Sequence, residues 1–339
     1  MVTKRNFNNK LQKGWALLTL LVIVALLLSG CGGTVQQTKV YHVGILSGLN
    51  YVADITDGFK AKMTELGYVE GKNIIYDVQK TDFDMAAYKS ILKKFVDDKV
   101  DLIISFPTEA SMEAKAATQG TNIPVVFSYA IVEGMGLVDN MRNPGGNITG
   151  VRYPGTDIAL KRFEVLLELV PQAKRVLVPY QRGYPIVTPQ LEALHQTAAT
   201  AGVTLIEAPA DNAAQLQSTL DQLAGQEKID AILMIVEPLA VAPDAFGVIA
   251  KYAYDNNIPL GGTYVAAGEY ETIFGVGVNS YDAGTLAASL ADKILKGTSA
   301  GTIPVVTSDS WFDINLKGAQ KFGLTVPEGL IKQANKVYR

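Results

Sequence analysis

The chain reads as an α/β protein of two lobes, each a parallel sheet flanked by helices with a cleft between them. Two observations predict this. Short β-branched runs alternate with helical stretches of about 10–15 residues, and the series runs twice, broken at the turn cluster Asn143-Pro144-Gly145-Gly146-Asn147. Strands and helices alternating at that length make βαβ units, whose crossovers cover both faces of a parallel sheet. The first series predicts strands at 40–46, 74–78, 102–105 and 125–128, with helices at 55–66, 85–98 and 109–118. The helix at 55–66 opens on Asp54 and Asp57, repeats its apolar positions every three or four residues, and stops at Gly67.

The second series predicts an amphipathic helix at 158–169 ended by Pro171. Strands follow at 175–179, 204–208, 231–235 and 258–260, with helices at 190–201, 213–223 and 244–256 between them. After Gly261-Gly262 come strands at 275–279, 303–306 and 311–314 and helices at 283–295, 315–322 and 328–336. These pieces are too few for a third domain and are expected to complete the two sheets.

Ahead of the first strand, Lys4, Arg5, Lys10 and Lys13 precede an apolar run that ends at Leu28-Ser29-Gly30-Cys31. A basic segment, a short apolar core and small residues before a cysteine form a lipoprotein signal. The run is shorter than the roughly 18 residues a spanning helix needs. Residues 1–30 are therefore expected to be removed, Cys31 to carry the lipid, and residues 31–39 to tether the body to the outer face of the membrane.

The leader holds four of the 30 basic residues and none of the 33 acidic ones, so the remaining 309 residues carry a net charge of −7. That balance gives no footprint for nucleic acid. Cys31 is the sole cysteine and His42 and His195 the sole histidines, so neither a disulfide framework nor a metal site is expected. Phosphate-loop, nucleophile-elbow and dinucleotide-turn motifs are absent, and no catalytic residue or cofactor is assigned.

Several segments carry a family likeness. Glu65-Leu66-Gly67-Tyr68-Val69-Glu70-Gly71-Lys72-Asn73, Ile123-Pro124-Val125-Val126-Phe127 and Asn143 to Val151 resemble segments of ABC-transporter substrate-binding lipoproteins related to tryptophan- and tyrosine-binding proteins. Pro171 to Val176, Gly277-Val278-Asn279 and Ala291 to Gly297 continue the likeness in the same order. The resemblance implies a type I periplasmic-binding fold with three crossings between lobes. Lobe 1 would then comprise residues 40–151 and 264–304, and lobe 2 residues 155–261 and 307–339. It also implies a monomer without catalysis, which captures a small organic solute, such as an aromatic or apolar amino acid, and passes it to a permease driven by a separate ATPase. A lipoprotein receptor feeding a sensor kinase or chemoreceptor is the alternative.

In the family a Thr-Pro pair opens the helix after strand three; here Thr108 is kept and Glu109 replaces the proline. Thr108 with its helix N-terminus would suit a ligand carboxylate, and Glu109 could itself occupy that position. The family's aspartate in lobe 2 corresponds to Glu237, a candidate partner for a ligand ammonium. Ser47 and Asn50 in the first loop, Ser128 after the fourth strand, and Tyr51, Tyr129, Tyr180, Tyr184 and Tyr264 at strand ends are expected to line the cleft, the tyrosines as flat walls. Arg182, with its planar fork, is the alternative carboxylate partner.

Overall fold

In the computed structural model, which describes residues 39–225, 228–263, 266–267 and 269–339, strand β1 (Tyr41–Ser47) lies inside a six-stranded parallel sheet. Its order is β13-β5-β4-β3-β1-β2, with β2 (Ile74–Lys80), β3 (Leu102–Phe106), β4 (Val125–Ala130), β5 (Ile148–Arg152) and β13 (Val306–Thr307). Every residue of β3 is buried, because helices cover both faces. That is why it reads as an unbroken apolar run rather than an alternation. One face packs on α1 (Ile55–Glu65) and α8 (Ser280–Leu295), the other on α2 (Met85–Asp97) and α3 (Thr108–Ala117).

α1 and α8 cross backbone to backbone. A Cβ on Gly58 would lie 2.0 Å from the Tyr281 carbonyl, and one on Gly284 would lie 2.1 Å from that of Ile55. Asp84 caps α2 by accepting from the Ala87 amide at 2.9 Å, and Asn279 caps α8 through the Asp282 amide.

The second lobe begins at α4 (Gly155–Leu169). Its parallel sheet runs β7-β6-β8-β9, built from β6 (Arg175–Gln181), β7 (Thr204–Ala210), β8 (Ala231–Leu233) and β9 (Leu260–Gly261). α5 (Val187–Ala201), α6 (Ala213–Leu223) and α7 (Pro243–Asp255) connect these strands. A bridge from Gly262 to Gly275 extends the sheet into β12 (Phe274–Val278), antiparallel β14 (Ser310–Asn315) and β15 (Lys336–Tyr338). Between β9 and β12, β10 (Ala266–Ala267) and β11 (Tyr270–Glu271) pair as a small hairpin, and α9 (Leu316–Lys321) and α10 (Glu328–Gln333) close the chain.

Two expected boundaries are corrected here. Residues 264–304 do not return to lobe 1 as a block, because β12 completes the second sheet. The Phe274 ring lies over Gly261, where a Cβ would be 2.3 Å from it, and Phe274 and Val276 point into the second core. The chain crosses back only at Asn279, into α8. The last crossing also falls later than residues 304–307, since Val306 and Thr307 pair with Val151 and Arg152 of lobe 1. Residues 41–339 form one unit. The leader and Cys31 lie outside the described residues, as does Tyr264; among the described residues no helix is long and apolar enough to cross a membrane.

Candidate ligand-binding cleft

The carboxyl ends of both sheets face each other across a cavity of about 740 Å³. This is where open α/β sheets place ligands, because loops diverge there and leave space. Lobe 1 contributes Leu49 and Tyr51 after β1, Phe83 after β2, Pro107, Thr108 and Glu109 after β3, Tyr129 and Ile131 at the end of β4, and Tyr153 after β5. Lobe 2 contributes Arg162 from α4, Tyr184 and Ile186 after β6, and residues 235–238 after β8. Asn279, at a crossing, also reaches the wall.

Of the expected site residues, Tyr51, Thr108, Tyr129, Tyr184 and Glu237 line this cavity. Tyr129 is aimed by an irregularity in the sheet. The β4–β5 register shifts between Phe127 and Ala130, and Tyr129 takes a left-handed φ of 53°. Its ring meets that of Tyr153 at 4.5 Å between centroids. Tyr184 of lobe 2 meets Phe83 of lobe 1 edge-on at 6.3 Å, a contact from one lobe to the other.

The other expectations are corrected. Ser47 and Ser128 are fully buried in lobe 1, the latter donating to the Ala283 carbonyl at 3.3 Å. Asn50 is exposed, its amide donating to Asp82 at 3.1 Å. Tyr180 and Arg182 turn towards the edge strand β7: the Tyr180 hydroxyl donates to Glu207 at 2.5 Å, and Arg182 pairs with Asp211 at 3.1 Å and donates to the Pro209 carbonyl. None of these five lines the cavity.

Arg162 is a buried cavity cation that sequence reasoning missed; Lys336, exposed at the same cavity, was missed too. Arg162 is 3% exposed on the buried face of α4. Its Nε and one terminal nitrogen donate to the Val276 carbonyl at 2.9 and 2.7 Å, and the other terminal nitrogen donates to the Met234 carbonyl at 3.0 Å. A guanidinium carries five N–H groups, so two remain uncommitted. Burial works against its charge, while Tyr153, Tyr129, Tyr51 and the Glu237 carboxylate surround it and favour the charged form.

Glu109 and Glu237, the two cavity carboxylates with buried oxygens, differ in their partners. Glu237 is 5% exposed, and its Oε2 accepts from the Gln181 amide at 3.0 Å and the Leu239 amide at 2.8 Å, pinning the turn after β8. Both oxygens of Glu109, in the first turn of α3, are buried without a well-formed hydrogen bond, the Tyr184 hydroxyl across the cleft being the donor beside them. Burial pushes the Glu109 carboxyl above its usual range, offset in part by the Tyr184 hydroxyl across the cleft. As pH rises from the ordinary carboxylate value through that raised value, the unfolded chain gives up its proton first, and the folded state loses stability. Above it, an ionised carboxylate without a well-formed hydrogen bond is a standing cost. Thr108 does not cap α3: its Oγ1 accepts from the Ile131 amide at 3.1 Å.

Residues 45–338 match the family of ABC transporter substrate binding proteins. The chain belongs to this family. It is a family of binding proteins rather than of enzymes, and its members are extracytoplasmic. Among relatives of this substrate-binding protein, a tyrosine-binding protein of Clostridioides difficile is 30% identical over 255 residues, covering 74% of this chain and 71% of the relative. Among solved structures, a conserved domain protein from Vibrio cholerae shares 25% identity with a TM-score of 0.77, covering 88% of this chain and 100% of that one. An ABC domain from Streptococcus pneumonia in complex with L-Trp has the same fold at 24% identity, with the same TM-score and coverage. The ligand-free, open structure of a substrate-binding protein from Clostridium difficile is 26% identical with a TM-score of 0.68, covering 88% of this chain and 99% of that one.

Proposed function

We propose that this substrate-binding protein captures an amino acid with an aromatic side chain outside the cytoplasm. Its lobes close on the solute and present it to an importing permease driven by a separate ATPase. The observation that carries this reading is the cavity between the lobes, walled by Tyr51, Tyr129, Tyr153, Tyr184 and Phe83, with the buried cation Arg162 and the carboxylates Glu109 and Glu237 in its interior and Asp282, Asp309, Asp313 and Lys336 also along its lining. Flat rings offer large contact area at low entropic cost, and the paired signs of charge suit a ligand carrying both. The name of the tyrosine-binding relative supports the same class of ligand.

A thermal-shift screen tests it. L-tyrosine or L-tryptophan at about 100 times its dissociation constant should add about 2.7 kcal/mol of stability, seen as a raised melting temperature. Stabilisation by a sugar or polyol, with none by any amino acid, would reject the reading.

The tether extends the proposal: lipid on Cys31 holds the protein at the membrane face. Cys31→Ser should abolish incorporation of labelled palmitate and leave precursor or released protein, with ligand affinity intact. Label retained in Cys31→Ser protein would place the lipid elsewhere.

A further inference from the structure

The cavity holds two charged groups whose bonding is incomplete, one on each lobe. Arg162, from α4 of lobe 2, makes no ion pair among the described residues and keeps two N–H groups uncommitted although it is almost wholly buried. Glu109, from α3 of lobe 1, presents two buried oxygens that no well-formed hydrogen bond satisfies among the described residues, with the Tyr184 hydroxyl of lobe 2 beside them. Isolated buried charges of this kind are costly, and a folded protein keeps them where a ligand completes them. Glu237, the carboxylate that the family likeness favours, is the weaker candidate for a ligand ammonium, because backbone amides already occupy its Oε2 and hold it in the turn.

Resting on the amino-acid reading above, we propose that the ligand is bound as a zwitterion spanning the cleft, its ammonium on Glu109 of lobe 1 and its carboxylate on Arg162 of lobe 2. The side chain then lies among the rings of Tyr51, Tyr129 and Tyr153. Each ligand charge belongs to a different lobe, so the closed state needs both charges at once. A molecule carrying only one leaves the opposite group buried and unpaired. Discrimination between an amino acid and its single-charge analogues is thereby built into closure, and Glu109 and Arg162 set it.

Calorimetry on the purified protein decides this, with L-tyrosine, its des-amino analogue 3-(4-hydroxyphenyl)propionate, and its decarboxylated analogue tyramine as probes. Wild-type protein should bind L-tyrosine at least about 30-fold more tightly than either analogue. Glu109→Gln should weaken L-tyrosine by about 30-fold or more and close the gap to the des-amino analogue. It should also raise the melting temperature of the ligand-free protein at neutral pH, which shows that the variant is folded. Arg162→Lys, which keeps the charge but not the fork, should narrow the gap to tyramine instead. If L-tyrosine binds wild type and Glu109→Gln preserves both affinity and discrimination, the assignment of the charges is overturned while the amino-acid reading stands. If no amino acid binds wild type, the amino-acid reading itself falls.

Discussion

Arg162→Met is expected to destabilise the ligand-free protein by about 2–4 kcal/mol and to remove amino-acid binding. The guanidinium joins two strands of lobe 2 that do not pair with each other, through the carbonyl of Val276 in the middle of β12 and that of Met234 just after β8. Methionine fills similar space but donates nothing. Each buried acceptor left without a donor costs about 1–3 kcal/mol. Part of that cost is offset, because a charge no longer has to be buried. Arg162→Lys should fall between, since one ammonium cannot reproduce a planar fork. Scanning calorimetry on both variants reads the effect as a melting temperature lowered by several degrees for methionine and less for lysine. A methionine variant that melts with wild type would mean that the two carbonyls do not depend on Arg162.

Arg162 also shows what the sequence hides. Ile158, Arg162 and Leu166 fall at four-residue spacing on α4, so the arginine interrupts an apolar face. Such a charge on a buried stripe was a signal of a built interaction, but the spacing alone could not say whether it met a carboxylate, a carbonyl or a ligand. Tyr51, Tyr129 and Tyr184 were legible, because strand ends face the cleft in this topology. Tyr180 and Arg182 carry the same signal and fail it. They lie at and just past the end of β6, which borders the edge strand β7, and Glu207 in β7 and Asp211 just after it offer partners that only the three-dimensional pairing reveals. The βα alternation gave the lobes and most elements to within a few residues. The lobe bounds implied by the family likeness misplaced β12 by putting residues 264–304 in lobe 1, whereas Gly261 and Gly262 admit the Phe274 ring and the Met234 backbone and hold β12 in lobe 2.

Gly284→Ala and Gly247→Ala are expected to change stability in opposite directions although both replace a glycine inside a helix. Alanine is favoured over glycine in a helix by about 1 kcal/mol, since glycine loses more backbone freedom on folding. At Gly247 in α7 nothing lies within 4 Å of the new Cβ, so that preference should appear as a gain of about 0.5–1 kcal/mol. At Gly284 the Cβ would meet the Ile55 carbonyl at 2.1 Å and the Phe59 amide nitrogen at 2.8 Å, and both are backbone atoms of α1 that cannot rotate aside. The helices must separate, loosening the contacts of Ala283, Ala287 and Phe59, all fully buried. Overpacking of this kind costs about 1–3 kcal/mol, which outweighs the helix preference. Melting temperatures of the two variants, measured side by side, check the sign. If Gly284→Ala is as stable as wild type or more so, α1 and α8 are not locked by backbone contact, and the first lobe can absorb a wider crossing without cost.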